Sequence, residues 1–427
     1  MTLGVEAQPS GSDPGRPLFA RELAADVARV LVSRAARLLA FGATSVVLAL
    51  HLEKRGFGMA AFGLLVTLTL LGDAALTLGL ATFGGRLGKK RVLLGSAVFL
   101  SIGLVVFALS SDPAVLWVTA TIGILSPSGG EAGPATAIEQ AALAGVTEVR
   151  ARPQIYAWYN LTGSVAVAFG SKLGGSLAEL RDTKSVFLGA AVVVLAGALP
   201  LLGLSGRVES SVPPPVMPLA KSKRTVGVLS ALFALDSFGS GLVLQSALAL
   251  WLRLRFGFSA STLGSLFFTT NLLSAASALL AARLATRIGL LRTMVFTHIP
   301  ANLFLLGLAF APNGKVAITL VCLRFCLAQM DVPARMAFVM RAVPEEERTQ
   351  AAVVTSLARS TGNALGPLVT GALLATRSFR APVVLASLVK IAYDIGLYRA
   401  FKAHEAEAAA RVDRPEGVPS MVPPEAK

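Results

Sequence analysis

Apolar residues recur in blocks of about twenty along nearly the whole chain, parted by short segments rich in Gly, Pro and charge. A helix needs about 20 such residues to cross a hydrocarbon core of roughly 30 Å. The pattern predicts twelve spanning helices, over 28–51, 60–83, 92–110, 114–143, 154–178, 185–205, 226–252, 261–284, 290–311, 315–342, 350–375 and 381–402. Residues 1–26 are polar and carry no apolar signal core, so a disordered tail is expected there. A second tail is expected over 404–427. Between spans six and seven, "RVESSVPPPVMPLAKSKR" (207–224) reads as a Pro-rich, basic, non-helical linker. The expected fold is all-α: two six-helix bundles, 27–206 and 225–403, joined by that linker.

Composition agrees. The chain has 427 residues, of which 54% are hydrophobic and 15% charged, against roughly 25% charged in soluble domains. Its net charge of +15 is best read through its distribution. With the N-terminus in the cytoplasm, 23 of the 39 Lys and Arg fall in cytoplasmic segments, 9 in external loops and 7 inside spans. The bias predicts both termini inside, in a plasma or bacterial inner membrane. The positive charge then belongs to topology and lipid headgroups, and nucleic acid is not an expected partner. Cys322 and Cys326 lie four residues apart on one helix and give no disulfide framework.

The chain also repeats itself. "ATFGGRLGKKRVLL" from Ala81 aligns with "ARLATRIGLLRTMV" from Ala282, matching Arg86 to Arg287, Gly88 to Gly289 and Arg91 to Arg292, each 201 residues apart. "YNLTGS" from Tyr159 answers "ARSTGN" from Ala358, and Pro134 answers Pro333, at a spacing of 199. The segment after span two, with Arg86, Gly88, Lys89, Lys90 and Arg91, resembles the G-x-L-A-D-R-x-G-R-R-R signature of the major facilitator superfamily. Ala81 replaces its first Gly and Gly85 its Asp; Thr286 takes the Asp position in the second copy. The resemblance covers the whole membrane region. It implies alternating access around a central site, with Arg86, Gly88, Lys89, Lys90, Arg91, Arg287, Gly289 and Arg292 in the gating loops.

Charges inside spans carry the chemistry, since each costs at least about 2.5–3.5 kcal/mol at a helix centre. Glu131 stands in "SPSGGEAGP" (126–134), where Pro134 predicts a kink in span four. A carboxylate there suits proton uptake and release; a structural pairing with an arginine is the rival reading. Asp331 precedes Pro333 in span ten as Glu131 precedes Pro134 in span four. Read as one helix, span ten puts Arg324, Asp331 and Arg335 on one face, with Arg324 and Asp331 toward a cavity and Arg335 as partner of Asp331. Gln329 adds a polar group beside them.

Asp236 in span seven lies at a depth similar to Arg34 in span one, which suggests an Arg–Asp relation across the cavity. Arg34 and Arg37 could instead snorkel to headgroups. Arg359 precedes "STGNALGP" in span eleven. Asp73 is a candidate for gating or proton relay. Lys390 and Asp394, spaced i,i+4, are expected to neutralise each other, and Glu139 and Lys172 to be solvated at helix ends. The cluster "YAWYN" (156–160) reads as an aromatic belt, with Tyr159 and Asn160 deep enough to reach a ligand.

His51, His298 and His404 are scattered without metal spacing, and no phosphate loop is present. Neither catalysis, a metal nor a cofactor is expected. The sequence reads as a monomeric secondary transporter of a small organic molecule, coupled to protons and directed to export. The alternatives are an organic-anion carrier built on Arg34, Arg324 and Arg359, and a membrane receptor that keeps the fold without flux.

Overall fold

The structure, a computed structural model, describes residues 16–83, 87–122, 125–130, 135–148, 150–210 and 219–412. Glu131, Pro134 and Arg86 lie outside the described residues. Fifteen α-helices account for the described chain: α1 (Arg16–Lys54), α2 (Met59–Phe83), α3 (Lys89–Leu109), α4 (Pro113–Thr121), α5 (Ala135–Val146), α6 (Arg152–Leu180), α7 (Thr183–Ala198), α8 (Lys223–Leu242), α9 (Gln245–Phe256), α10 (Ala260–Ile288), α11 (Leu290–Ala309), α12 (Gly314–Phe325), α13 (Asp331–Ala342), α14 (Arg348–Ala375) and α15 (Ala381–Val412). Among the described residues, eight helical stretches are long and apolar enough to cross a membrane by themselves.

Spans five and eleven are also continuous, as α6 and α14, whereas three expected spans are interrupted. Span four divides into α4 and α5 around the Gly/Pro-rich segment, span seven into α8 and α9 at Val243–Leu244, and span ten into α12 and α13 at Cys326–Met330. The expectation of one continuous helix over 315–342 is therefore corrected: Arg324 and Asp331 lie on either side of a break and share no helical face. Two expected tails are partly helical as well, since α1 begins at Arg16 and α15 continues to Val412. The linker's last two residues, Lys223 and Arg224, already belong to α8.

Helix starts show how local sequence sets the loops. Asp112, Asp182, Ser259 and Asn313 cap α4, α7, α10 and α12, each accepting from a backbone N–H two or three residues on. These four loops share one end of the molecule, opposite the termini. At the terminus end, Gly88 and Gly289 precede α3 and α11 with φ of 82° and 91°, a conformation that needs glycine. The repeat seen in sequence is thus also a repeat of backbone.

Helices α1–α7 form one group and α8–α15 the other; α6 against α10, α2 against α14 and α1 against α9 join the two. The joining contacts are closest far from the termini. A Cβ on Gly63 of α2 would stand 2.3 Å from Pro367 O of α14, and one on Gly175 of α6 would stand 2.3 Å from Ala260 O of α10. Backbones approach this closely only through small residues. Toward the terminus end the packing thins. In α2, six residues between Phe62 and Thr69 are buried, whereas none from Leu71 to Leu80 is. The two groups are pinned at one end and splayed at the other.

Candidate functional site

The second group encloses a network of buried charges. Asp236 of α8 is 4% exposed. Its Oδ1 accepts from Lys390 Nζ of α15 at 2.5 Å, its Oδ2 from Arg335 Nη1 of α13 at 3.3 Å, and His298 Nε2 of α11 stands 3.8 Å from Oδ1. Arg335 also meets Asp331 Oδ2 at 3.1 Å. His298 Nδ1 lies 2.8 Å from Asp394 Oδ1, and Asn302 donates to Asp394 Oδ2 at 3.2 Å. Four helices therefore converge on one carboxylate. Gly239 makes room for this, because a Cβ there would stand 2.7 Å from Lys390 Cγ.

Several expectations are corrected here. Lys390 does not neutralise Asp394; it turns to Asp236 through the slot at Gly239, and His298 with Asn302 takes Asp394. His298, set aside as scattered, is part of the network. Asp331 does pair with Arg335, as its i,i+4 spacing predicts. Arg359 of α14 donates from Nε to Ser237 Oγ at 3.4 Å, one residue from Asp236. Arg324, at the end of α12, is buried beside the break.

The first group holds a smaller network. Glu139 Oε2 of α5 accepts from Arg37 Nη2 at 2.7 Å and from Tyr159 Oη at 2.9 Å, with Arg34 Nη1 at 3.6 Å. Arg34 donates from Nε to Tyr159 O at 2.9 Å and lies over the Tyr159 ring, 3.5 Å from its centroid. The arginines do not snorkel, Glu139 is not solvated, and Tyr159 is buried rather than part of a belt. Arg34 faces Glu139 within its own group, not Asp236. Trp158 is exposed, as a belt residue should be, and Asn160 is exposed.

The two networks are mirror images in charge. Glu139 is the fifth residue of α5, and Arg335 is the fifth residue of α13. In the first group the cations sit on α1 and the acid after the span-four break; in the second the acid sits on α8 and the cation after the span-ten break.

Where the groups meet, Gln245, the first residue of α9, is a polar hub. Its Nε2 donates to Ser45 Oγ of α1 at 2.8 Å and to Ser171 Oγ of α6 at 3.2 Å, and its Oε1 accepts from Asn271 of α10 at 3.3 Å. Ser246 N donates to Pro127 O in the span-four break at 3.0 Å. Further out, Lys172 meets Ser265 Oγ at 2.7 Å, Ser261 N meets Glu179 Oε2 at 3.0 Å, and Arg253 meets Glu53 at 3.5 Å. Sequence reasoning followed charge, so it missed Gln245, Asn271, Ser45 and Ser171, which carry none. Gln329 is half-buried in the span-ten break.

The loops at the terminus end are held by acids from distant segments. Glu209 accepts from Lys89 N at 2.6 Å and Lys90 N at 3.0 Å, and so caps α3. Lys90 Nζ donates to Leu202 O at 2.6 Å. Glu347 accepts from Ala220 N, Lys221 N and Ser222 N at 2.8, 2.7 and 3.0 Å, at the start of α8. Those backbone N–H bonds, Lys221 foremost, hold its carboxyl down at about 2. Arg91, Arg287 and Arg292 are exposed.

Comparison with known proteins decides the family. The sequence profile of the Major Facilitator Superfamily matches residues 30–328 and, in a second alignment, 229–423. The chain belongs to that superfamily. A relative in Saccharomyces cerevisiae, described as an uncharacterized membrane protein, is 28% identical over 423 residues, 88% of this chain and 94% of the relative. Among solved structures, the nucleoside transporter NupG aligns with a TM-score of 0.68 at 14% identity, covering 88% of this chain and 99% of its own. A bacterial homologue of the lysosomal transporter Spinster, inward-facing and unoccupied, gives 0.66 at 15%, covering 96% and 100%. The human organic anion transporter MFSD10 gives 0.63 at 19%, covering 88% and 99%. These likenesses are of fold. This superfamily member is a membrane transporter, not an enzyme, and its fold is that of a secondary transporter working by alternating access.

Proposed function

We propose that the chain is a proton-coupled transporter of a small organic molecule, whose fifteen helices form twelve spans in two bundles, 27–206 and 225–403, with both termini in the cytoplasm. The single observation that carries the coupling is the four-helix convergence on Asp236. A proton arriving at Asp236 or Asp331 would loosen the contacts of Lys390 or Arg335 and let α8, α13 and α15 shift relative to one another. Asp331 and Asp236 are the described acids assigned to proton transfer; Glu131, beside the span-four break, is assigned the same role from its sequence setting. With the termini inside, the splayed end faces the cytoplasm, so this conformation exchanges solute with that side; export is the direction we propose.

The test is reconstitution in pH-jump vesicles, comparing wild type, Asp236→Asn and Glu131→Gln while lumenal pH is recorded as organic cations, neutral solutes and anions are added. The coupling assigned here requires a solute-dependent proton flux in wild type that is lost in Asp236→Asn. Flux that persists unchanged in both variants removes these acids from the coupling. Solute binding without flux in wild type would make the chain a receptor.

A further inference from the structure

Arg324 stands apart from every other buried charge in the second group. It is 8% exposed, yet none of its N–H donors meets an acceptor among the described residues, and its Nε is wholly shielded. Its one close partner is the Phe325 ring, 5.0 Å away. A guanidinium has five donors, and leaving such a group buried and unpaired costs several kcal/mol. Asp236 is near enough to attract it, but that carboxylate is already taken by Lys390 and Arg335.

Arg359 is the second surplus cation. It has the long contact to Ser237 and no ion pair among the described residues, and it lies within electrostatic reach of Asp236, Asp331 and Arg335. Among the described residues of this group, Arg324, Arg335, Arg359 and Lys390 stand against Asp236, Asp331 and Asp394, so four fixed positive charges less three negative leave +1. Depth fits as well. At 1.5 Å per residue, Arg324 lies about 15 Å from the start of α12 and Arg359 about 16 Å from the start of α14, which enters from the opposite face. Both arginines therefore sit near the midplane, beside a broken helix, where such folds bind substrate.

We infer that Arg324 and Arg359 bind an organic anion, a carboxylate or a phosphate ester, and that this anion is the transported solute. The second half of that statement rests on the transport reading above. A planar guanidinium grips either group through paired hydrogen bonds, and one negative charge neutralises the site. The anion also bears on the coupling. Its negative charge beside this cluster and a positive proton arriving there attract each other, so each favours the binding of the other. Anion and proton then load together, so the coupling is co-transport.

The test uses the full chain in phosphatidylcholine vesicles and in detergent, with benzoate, succinate and phenyl phosphate as anionic probes and benzylammonium and benzyl alcohol as controls. The expected result is a rise in thermal midpoint with an anionic probe only, lost in Arg324→Met and weakened in Arg359→Gln. In vesicles the same anion should carry protons in its own direction, with KM raised at least tenfold in Arg324→Lys. Ligand-free Arg324→Met should be as stable as wild type or more so, because it removes an unpaired buried charge; a structural arginine would give the reverse. The inference is overturned if no anionic probe shifts the midpoint, if the shift survives in Arg324→Met, if it follows benzylammonium instead, or if only added phosphatidylglycerol produces it. Anion binding without proton flux would leave the site standing and remove the coupled-transport reading alone.

Discussion

Lys390 reaches across to Asp236, at 2.5 Å, rather than to Asp394 one turn along its own helix. The choice couples α15 to α8 and releases Asp394 to His298. Removing either partner leaves the other charge buried without its closest counter-ion, a loss of roughly 3–5 kcal/mol. Lys390→Met and Asp236→Asn should each lower the thermal midpoint in detergent and abolish solute-driven proton flux. The double variant should be more stable than the sum of the two losses predicts, which a double-mutant cycle measures directly.

The Glu139 network makes the converse prediction. Glu139→Gln leaves Arg34 and Arg37 facing each other without the carboxylate that both approach. Its midpoint should fall by more than that of Arg37→Gln, which removes one of two cations and leaves Arg34 for Glu139. Equal losses would mean that packing, not charge, sets the stability of this site.

The glycine contacts at the pinned end govern conformation. Gly175→Val would drive a side chain into α10, and Gly63→Val into α14. Either variant should shift the population toward the state that opens away from the termini. Labelling of single cysteines placed in the Gln245 hub should then increase from that face, while unchanged labelling would dissociate these contacts from the gate.

At the terminus end, Glu347 sets an acid dependence. Its folded-state value of about 2 lies below the ordinary 4.5, so its stabilising effect is complete above pH 4.5 and fades as pH falls toward 2. Glu347→Gln should lower the midpoint at neutral pH and flatten the midpoint-against-pH curve through that window. A curve of wild-type shape in the variant would show that other carboxylates govern acid unfolding.

How far the sequence could be read depends on what holds each element. Helix positions followed from hydropathy, because a span must bury its own backbone polar groups in lipid; most helix ends fall within a few residues of the expected bounds, while α1 and α15 run on into the polar tails, where hydropathy gives no signal. The interruption of span four was visible in its glycines and prolines. That of span ten was not, since "RFCLAQM" shows no comparable signal before Asp331. Charge pairing was least legible. The i,i+4 rule found Asp331 with Arg335 but misassigned Lys390 and Asp394, because it sees one helix and the partners came from α8 and α11. Glu139 looked solvated for the same reason. Gln245 gave no electrostatic signal at all, being uncharged, although it bonds to three helices.

The six polar contacts that tie the two groups together around and beyond Gln245 set which face of the membrane can speak first. A compound arriving from the side of the termini meets two separated walls and can enter at once. One arriving from the other side must wait until those bonds part, each worth about 0.5–1.5 kcal/mol net. The same compound at the same concentration should therefore show a lag, or a slower onset, when applied to the pinned face. Dose–response curves taken from the two sides of an oriented vesicle will differ even where affinity at the central site does not.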